Sequence, residues 1–148
     1  MARPQIYITA EDHKRLTALL GSKIAMLIST PDRLAELQAE LDRAQILPAD
    51  EVPADLVTME STIKLRDLDT LEAEVYSLVF PEQANIAENR LSVLAPVGTA
   101  VLGYRVGDEV QWQVPQGMRR LRIEQVIYQP ERETAADLRE KETAHVHT

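Results

Sequence analysis

Few side chains in this sequence have a type and spacing that could do chemistry. The chain has no cysteine, which removes thiolate nucleophiles, zinc–thiolate sites and disulfides. Its three histidines are His13, His145 and His147, and two imidazoles near one end do not make a metal site. No Ser-His-Asp set or carboxylate dyad can be assembled. Gly98, Gly103 and Gly107 do not lead a strand into a long helix as a phosphate cradle does, so they read as packing and turn glycines, and no cofactor motif remains. Asp32 is the one carboxylate in the turn Ile28–Arg33, and Glu36 follows a helical pitch (~5.4 Å) further on. A hard cation wants several oxygen ligands, and Arg33 beside Asp32 opposes one. Arg119, Arg120 and Arg122 form the one dense basic cluster, which reads as a charged edge strand that blunts aggregation. Trp112, between Val110 and Val114, reads as core. These residues predict a protein that is not an enzyme.

The elements that must position these residues are legible in composition and period. The chain has 148 residues, 45% of them apolar and only 4% aromatic, which suits one domain or a small domain with an appendage. Lys and Arg number 16 against 24 Asp and Glu, net −8, so DNA and anionic lipid are poor partners. No run of ~18 apolar residues occurs, which predicts no membrane span and suits the cytoplasm.

Residues 1–48 predict an antiparallel helical hairpin. Thr9 caps a first helix over Ala10–Ile28, with Asp12 completing a capping-box-like pattern. Leu16, Leu20, Ile24 and Leu27 form its apolar stripe. Thr30 and Pro31 open a second helix, and Leu34, Leu37, Leu41 and Ala44 give it a heptad seam, as in a coiled coil, until Pro48. At 1.5 Å per residue the helices span ~28 and ~25 Å. Their few buried aliphatics do not offset the ordering entropy, so the hairpin must dock on something. Residues 49–56 carry Asp50, Glu51 and Asp55 without a base and read as an acidic linker.

From Val57 the period changes to two. Strands are predicted at Val57–Arg66, Glu72–Phe80, Leu91–Leu94, Val110–Val114 and Leu121–Val126, with a short helix from Pro96. The economical arrangement is α+β, an antiparallel sheet with one short helix across a face. Residues 131–148 are charged and lack an apolar stripe. They predict a disordered tail, with a frayed helix near Ala135–Glu140.

Several short runs between Val57 and about Tyr128 occur in a familiar order. They are Ser61-Thr62-Ile63-Lys64-Leu65, Tyr76-Ser77-Leu78-Val79, Leu91-Ser92-Val93, Pro96-Val97-Gly98-Thr99-Ala100-Val101-Leu102-Gly103, Gly107-Asp108-Glu109-Val110 and Pro115-Gln116-Gly117. In this order they resemble the C-terminal domain of the Gre transcript-cleavage factors, which has an FKBP-like fold. The resemblance implies an RNA polymerase core as partner, a domain over 57–130 that anchors on it, and a hairpin that enters the secondary channel. It also places Leu94, Ala95 and Pro96 in the loop used against polymerase, and Asp32 at the hairpin tip. Gre factors carry acids at that tip which help hold a catalytic metal, whereas Asp32 stands alone here. The expected function is therefore a polymerase-binding regulator that occupies the channel and competes with Gre-type factors without stimulating cleavage. The alternatives are a cleavage factor of Gre type and, from fold alone, a peptidyl-prolyl isomerase or another binding module.

Overall fold

The computed structural model describes residues 4–133, apart from the side chains of 112–114. The core role expected for Trp112, the histidines His145 and His147, and the tail with its frayed helix lie outside the described residues.

Local capping chemistry builds the first part of the chain. The Thr9 hydroxyl accepts the Asp12 N–H at 3.0 Å and starts α1 (Ala10–Leu20). The expected single helix to Ile28 is broken. Ser22 takes an extended backbone (ψ 151°), accepts the Ala25 N–H at 3.2 Å and donates to the Leu19 carbonyl at 2.6 Å, which opens α2 (Lys23–Ile28). A serine that can serve both helix ends, behind a glycine that weakens a helix by ~1 kcal/mol, outweighs the continuous apolar spacing. Leu16 is buried and Leu20 half-buried, while Ile24 and Leu27 on α2 are exposed. Thr30 caps α3 (Pro31–Arg43), which returns against α1. Its Leu34, Leu37, Leu41 and the following Ala44 all face the core, as their spacing requires. At the hairpin base β1 (Tyr7–Thr9) and β2 (Gln45–Leu47) pair in parallel, a ribbon of three residues a side that is too short to leave a sequence pattern.

The second part is a five-stranded sheet of β3 (Thr62–Asp67), β4 (Ala73–Val79), β5 (Arg90–Ser92), β6 (Glu109–Val114) and β7 (Gly117–Tyr128), in the order β5-β4-β3-β7-β6. The fold is thus mixed α+β, but the sheet is not wholly antiparallel. Short 3-10 turns at Pro81–Gln83 and Ile86–Glu88 carry the chain back, so β5 pairs with β4 in parallel. The arginine cluster also needs correction: β7 lies between β3 and β6 and is no edge strand. The helix α4 (Pro96–Val101) packs on β5 and β6, and glycine is required there. A Cβ on Gly98 would lie 2.1 Å from the Ser92 carbonyl oxygen.

The two parts share one core. Ile6, Leu16, Leu37 and Leu41 from the hairpin base join Met59, Leu102 and Ile123 in a single buried cluster, each side chain contributing ~1.5–3 kcal/mol. Gly103 stitches them, donating to the Val57 carbonyl at 3.0 Å and accepting the Tyr7 N–H at 3.1 Å. Its φ of +82° and the close approach of Tyr7 exclude a side chain. Residues 57–61, expected as strand, instead thread between hairpin and sheet, with the Thr58 N–H on the Ser61 hydroxyl at 3.0 Å. The alternation there reflects burial against two surfaces, and regular pairing begins only at Thr62. The acidic segment 49–56 holds a 3-10 turn (Ala49–Glu51), and its Asp55 pairs with Arg105 at 2.9 Å.

Candidate functional site

The tip is formed by α2, residues 29–30 and the first turn of α3. Thr30 accepts the Arg33 N–H at 3.2 Å, and Pro31 fills the first helical position, where no N–H is needed. Asp32 is exposed in that first turn, where the helix dipole favours a carboxylate. Arg33 pairs with Glu36 at 3.7 Å, so the second acid of the region is engaged by a cation. Among the described residues no three acids or histidines converge on a metal site. The larger feature of the tip is apolar: Ile24 (63% exposed), Met26 (70%), Leu27 (83%) and Ile28 (56%) all face outward on a six-residue helix.

The loop between β5 and α4 holds the other expected contacts. Ser92 organises it, its hydroxyl accepting the Leu94 N–H at 3.1 Å and its carbonyl the Ala95 N–H at 3.0 Å. Leu94 is turned into the core and only 7% exposed. Ala95 and Pro96 are only half-buried, with Pro96 opening α4. The loop and the tip are not brought together. Asp32 starts α3, whereas the Arg43 end of that helix meets Tyr104 just beyond α4, with Nη2 2.9 Å from the phenol oxygen.

A cavity of about 220 Å³ lies over β3 and β4, floored by Leu65, Leu91, Val97 and Leu121. Its rim is acidic, with Glu72, Glu74 and Asp67. The Tyr76 hydroxyl donates to Glu74 and is pushed up to about 12 by burial and by that carboxylate, so it stays a donor. Asp67 is held below its ordinary value by the Thr70 and Asp69 N–H groups, at 3.0 and 2.8 Å, and by Arg119. The three clustered arginines all have partners: Arg119 with Asp67, Arg120 with Asp69 and Arg122 with Glu109. Sequence reasoning missed this cavity, although its apolar floor lies in the expected strands and the short helix from Pro96. The apolar tip is hidden in the sequence as well, because the spacing of Ile24 and Leu27 continues the stripe of Leu16 and Leu20.

A short hairpin on an α+β sheet unit defines a class. Residues 52–128 match the family described as "Transcription elongation factor, GreA/GreB, C-term". A solved prokaryotic transcription elongation factor GreA/GreB from Nitrosomonas europaea superposes with a TM-score of 0.69 at 37% identity, covering 84% of this chain and all of that one. The transcription elongation factor GreA of Syntrophotalea carbinolica is 30% identical over 65% of this chain and 61% of its own length. The hairpin narrows the assignment, because residues 4–47 match the model described as "Rnk N-terminus". The regulator of nucleoside diphosphate kinase of Escherichia coli strain K12 is 42% identical over 88% of this chain and 95% of its own. The chain belongs to the Rnk family, within the Gre-like transcription factors.

Proposed function

We propose that the protein binds core RNA polymerase, places its hairpin in the secondary channel and excludes Gre-type factors without stimulating transcript cleavage. In this reading residues 57–130 are an FKBP-like anchor, which offers Ala95, Pro96 and the acid-rimmed cavity to polymerase. Residues 1–48 are a short coiled-coil probe and 49–56 the acidic joint between them.

The observation that carries the proposal is the tip: a single carboxylate, Asp32, beside four exposed aliphatic side chains. Such a tip suits occupying space and contacting a wall, and its lone carboxylate speaks against a cleavage role. The 13 residues of α3 reach only ~20 Å, so the probe is shorter than the continuous helix spacing implies. An effect on nucleoside diphosphate kinase, named in the Escherichia coli relative, would then be indirect, through transcription.

Two assays with purified protein test this. A binding assay with core polymerase is expected to be positive. Incubation with a backtracked complex is expected to leave the transcript uncleaved. Robust cleavage that Asp32→Ala abolishes would overturn the non-catalytic reading.

A further inference from the structure

The hairpin leaves the sheet through a buried polar junction that the proposed contacts with polymerase do not use. Asp12, in the first turn of α1, is only 2% exposed. Its Oδ2 accepts the backbone N–H of Met59 at 3.0 Å, across 47 residues of chain, and its Oδ1 accepts Arg15 Nη2 at 2.5 Å. Arg15 then reaches the sheet unit twice. Its Nη1 donates to Glu60 Oε1 at 2.8 Å, and its guanidinium lies over the Phe80 ring, 4.8 Å from the centroid. Glu60 is held at φ +67°, a left-handed conformation unfavourable for a residue with a side chain, with its N–H on the Leu78 carbonyl at 2.6 Å. On the far side Thr58 donates to Glu131 at 2.7 Å.

As glue this cluster would be poor: the Arg15–Glu60 pair that crosses the junction is 39% and 40% exposed, where pairing adds little, and the burial of Asp12 costs its solvation. Burial in fact pushes Asp12 above its ordinary value despite Arg15 beside it. The buried Arg15 Nε has no hydrogen-bond partner among the described residues. What such a pair supplies is direction. A planar fork bound at both ends and stacked on a ring admits one angle between α1 and the sheet, whereas the apolar contacts around it admit several.

We infer that Asp12 and Arg15 are positioning residues: they clamp α1 to the Met59–Glu60 turn and to Phe80, and so set the direction in which the hairpin projects. The use of that direction, aiming the tip into the channel, rests on the function proposed above.

The test exploits the absence of cysteine. Spin labels at Leu27→Cys on the tip and Gln125→Cys on β7 report the tip-to-sheet distance in the free protein. The parent should give one narrow distance distribution. Asp12→Asn keeps an acceptor for Met59 but no charge for Arg15, and Arg15→Lys keeps the charge but loses the fork and the stacking. Each variant should lose the single narrow peak while its circular dichroism and cooperative melting persist. Glu109→Gln, which breaks the pair with Arg122 away from the junction, should not change it. A lower melting temperature with an unchanged distribution would mean a merely structural role and would overturn the inference, as would parent-like peaks in both variants. If one variant fails to fold, the other decides. Because no polymerase is present, failure of the proposed function would leave this result standing.

Discussion

The base and the tip of the hairpin invert each other's chemistry. At the base a carboxylate is buried and its guanidinium partner is tied down at both ends. At the tip four large aliphatic side chains face water. Hydrophobic burial alone would have produced the reverse in both places. The base sacrifices solvation of charge for a fixed geometry, and the tip leaves apolar area uncovered for a partner. A hairpin anchored by charge at its base and apolar at its end is what the proposed role as a probe calls for.

The largest effects should come from the base. Asp12→Ala leaves the Met59 N–H unsatisfied and takes from Arg15 one of its two carboxylate partners. With Arg15 partly exposed, we expect a loss of about 2–4 kcal/mol in urea unfolding. A loss below ~0.5 kcal/mol, the level of an ordinary surface change, would show that the junction is slack.

Gly98→Ala ranks next. Its Cβ meets the Ser92 carbonyl, so α4 must shift off β5 at a cost of roughly 1–3 kcal/mol, visible as a lower melting temperature.

The pH response should separate the base from the sheet. Asp12, facing Arg15, Glu60 and Glu131, is raised by burial, as is Glu131. The folded state therefore binds their protons more tightly than the unfolded chain does, and their contribution to stability improves as pH falls. Asp67 and Glu124 are lowered, chiefly by backbone N–H groups and by Arg66 respectively, so their contribution is present above the ordinary values of 3.8 and 4.5 and is lost below them. Thermal melts should hold level or rise as pH drops from 7 to about 5, and fall once it passes below about 4. In Asp12→Asn the Asp12 share of any rise should vanish. A steady decline from pH 7 downward would contradict the burial of Asp12.

The smallest stability effects belong to the tip and the loop. Leu27→Ser should change unfolding by no more than ~0.5 kcal/mol yet weaken competition for polymerase. Pro96→Ala should likewise leave the melting temperature nearly unchanged while weakening polymerase binding. A specific loss of stability instead would mean that Pro96 serves only to start α4.

What the sequence made legible follows from the range of each force. Thr9, Thr30 and Pro31 are local devices, and the helices begin where they stand. The period of two in β4 and the hairpin of β6 and β7 are equally local. The break at Ser22 was hidden because the apolar spacing runs on through it. The parallel pairing of β4 with β5 was hidden because strand direction depends on the path between strands. Asp12 looked like the second half of a capping box, but its part in the cap is only the N–H that Thr9 accepts. Its carboxylate is used 47 residues away, and no local pattern reports that. At the candidate site Asp32 and Pro96 could be read directly, whereas the inward turn of Leu94 and the exposure of Leu27 needed the packed structure.

Competition for the channel tests the central claim most directly. Cleavage of a backtracked transcript is measured with a fixed amount of a Gre-type factor and rising amounts of this protein. Occupancy of a shared site follows concentration over dissociation constant, so cleavage should fall as the protein is added and return when extra Gre-type factor is supplied. If both proteins bind polymerase together and cleavage does not change, the shared-channel account is wrong.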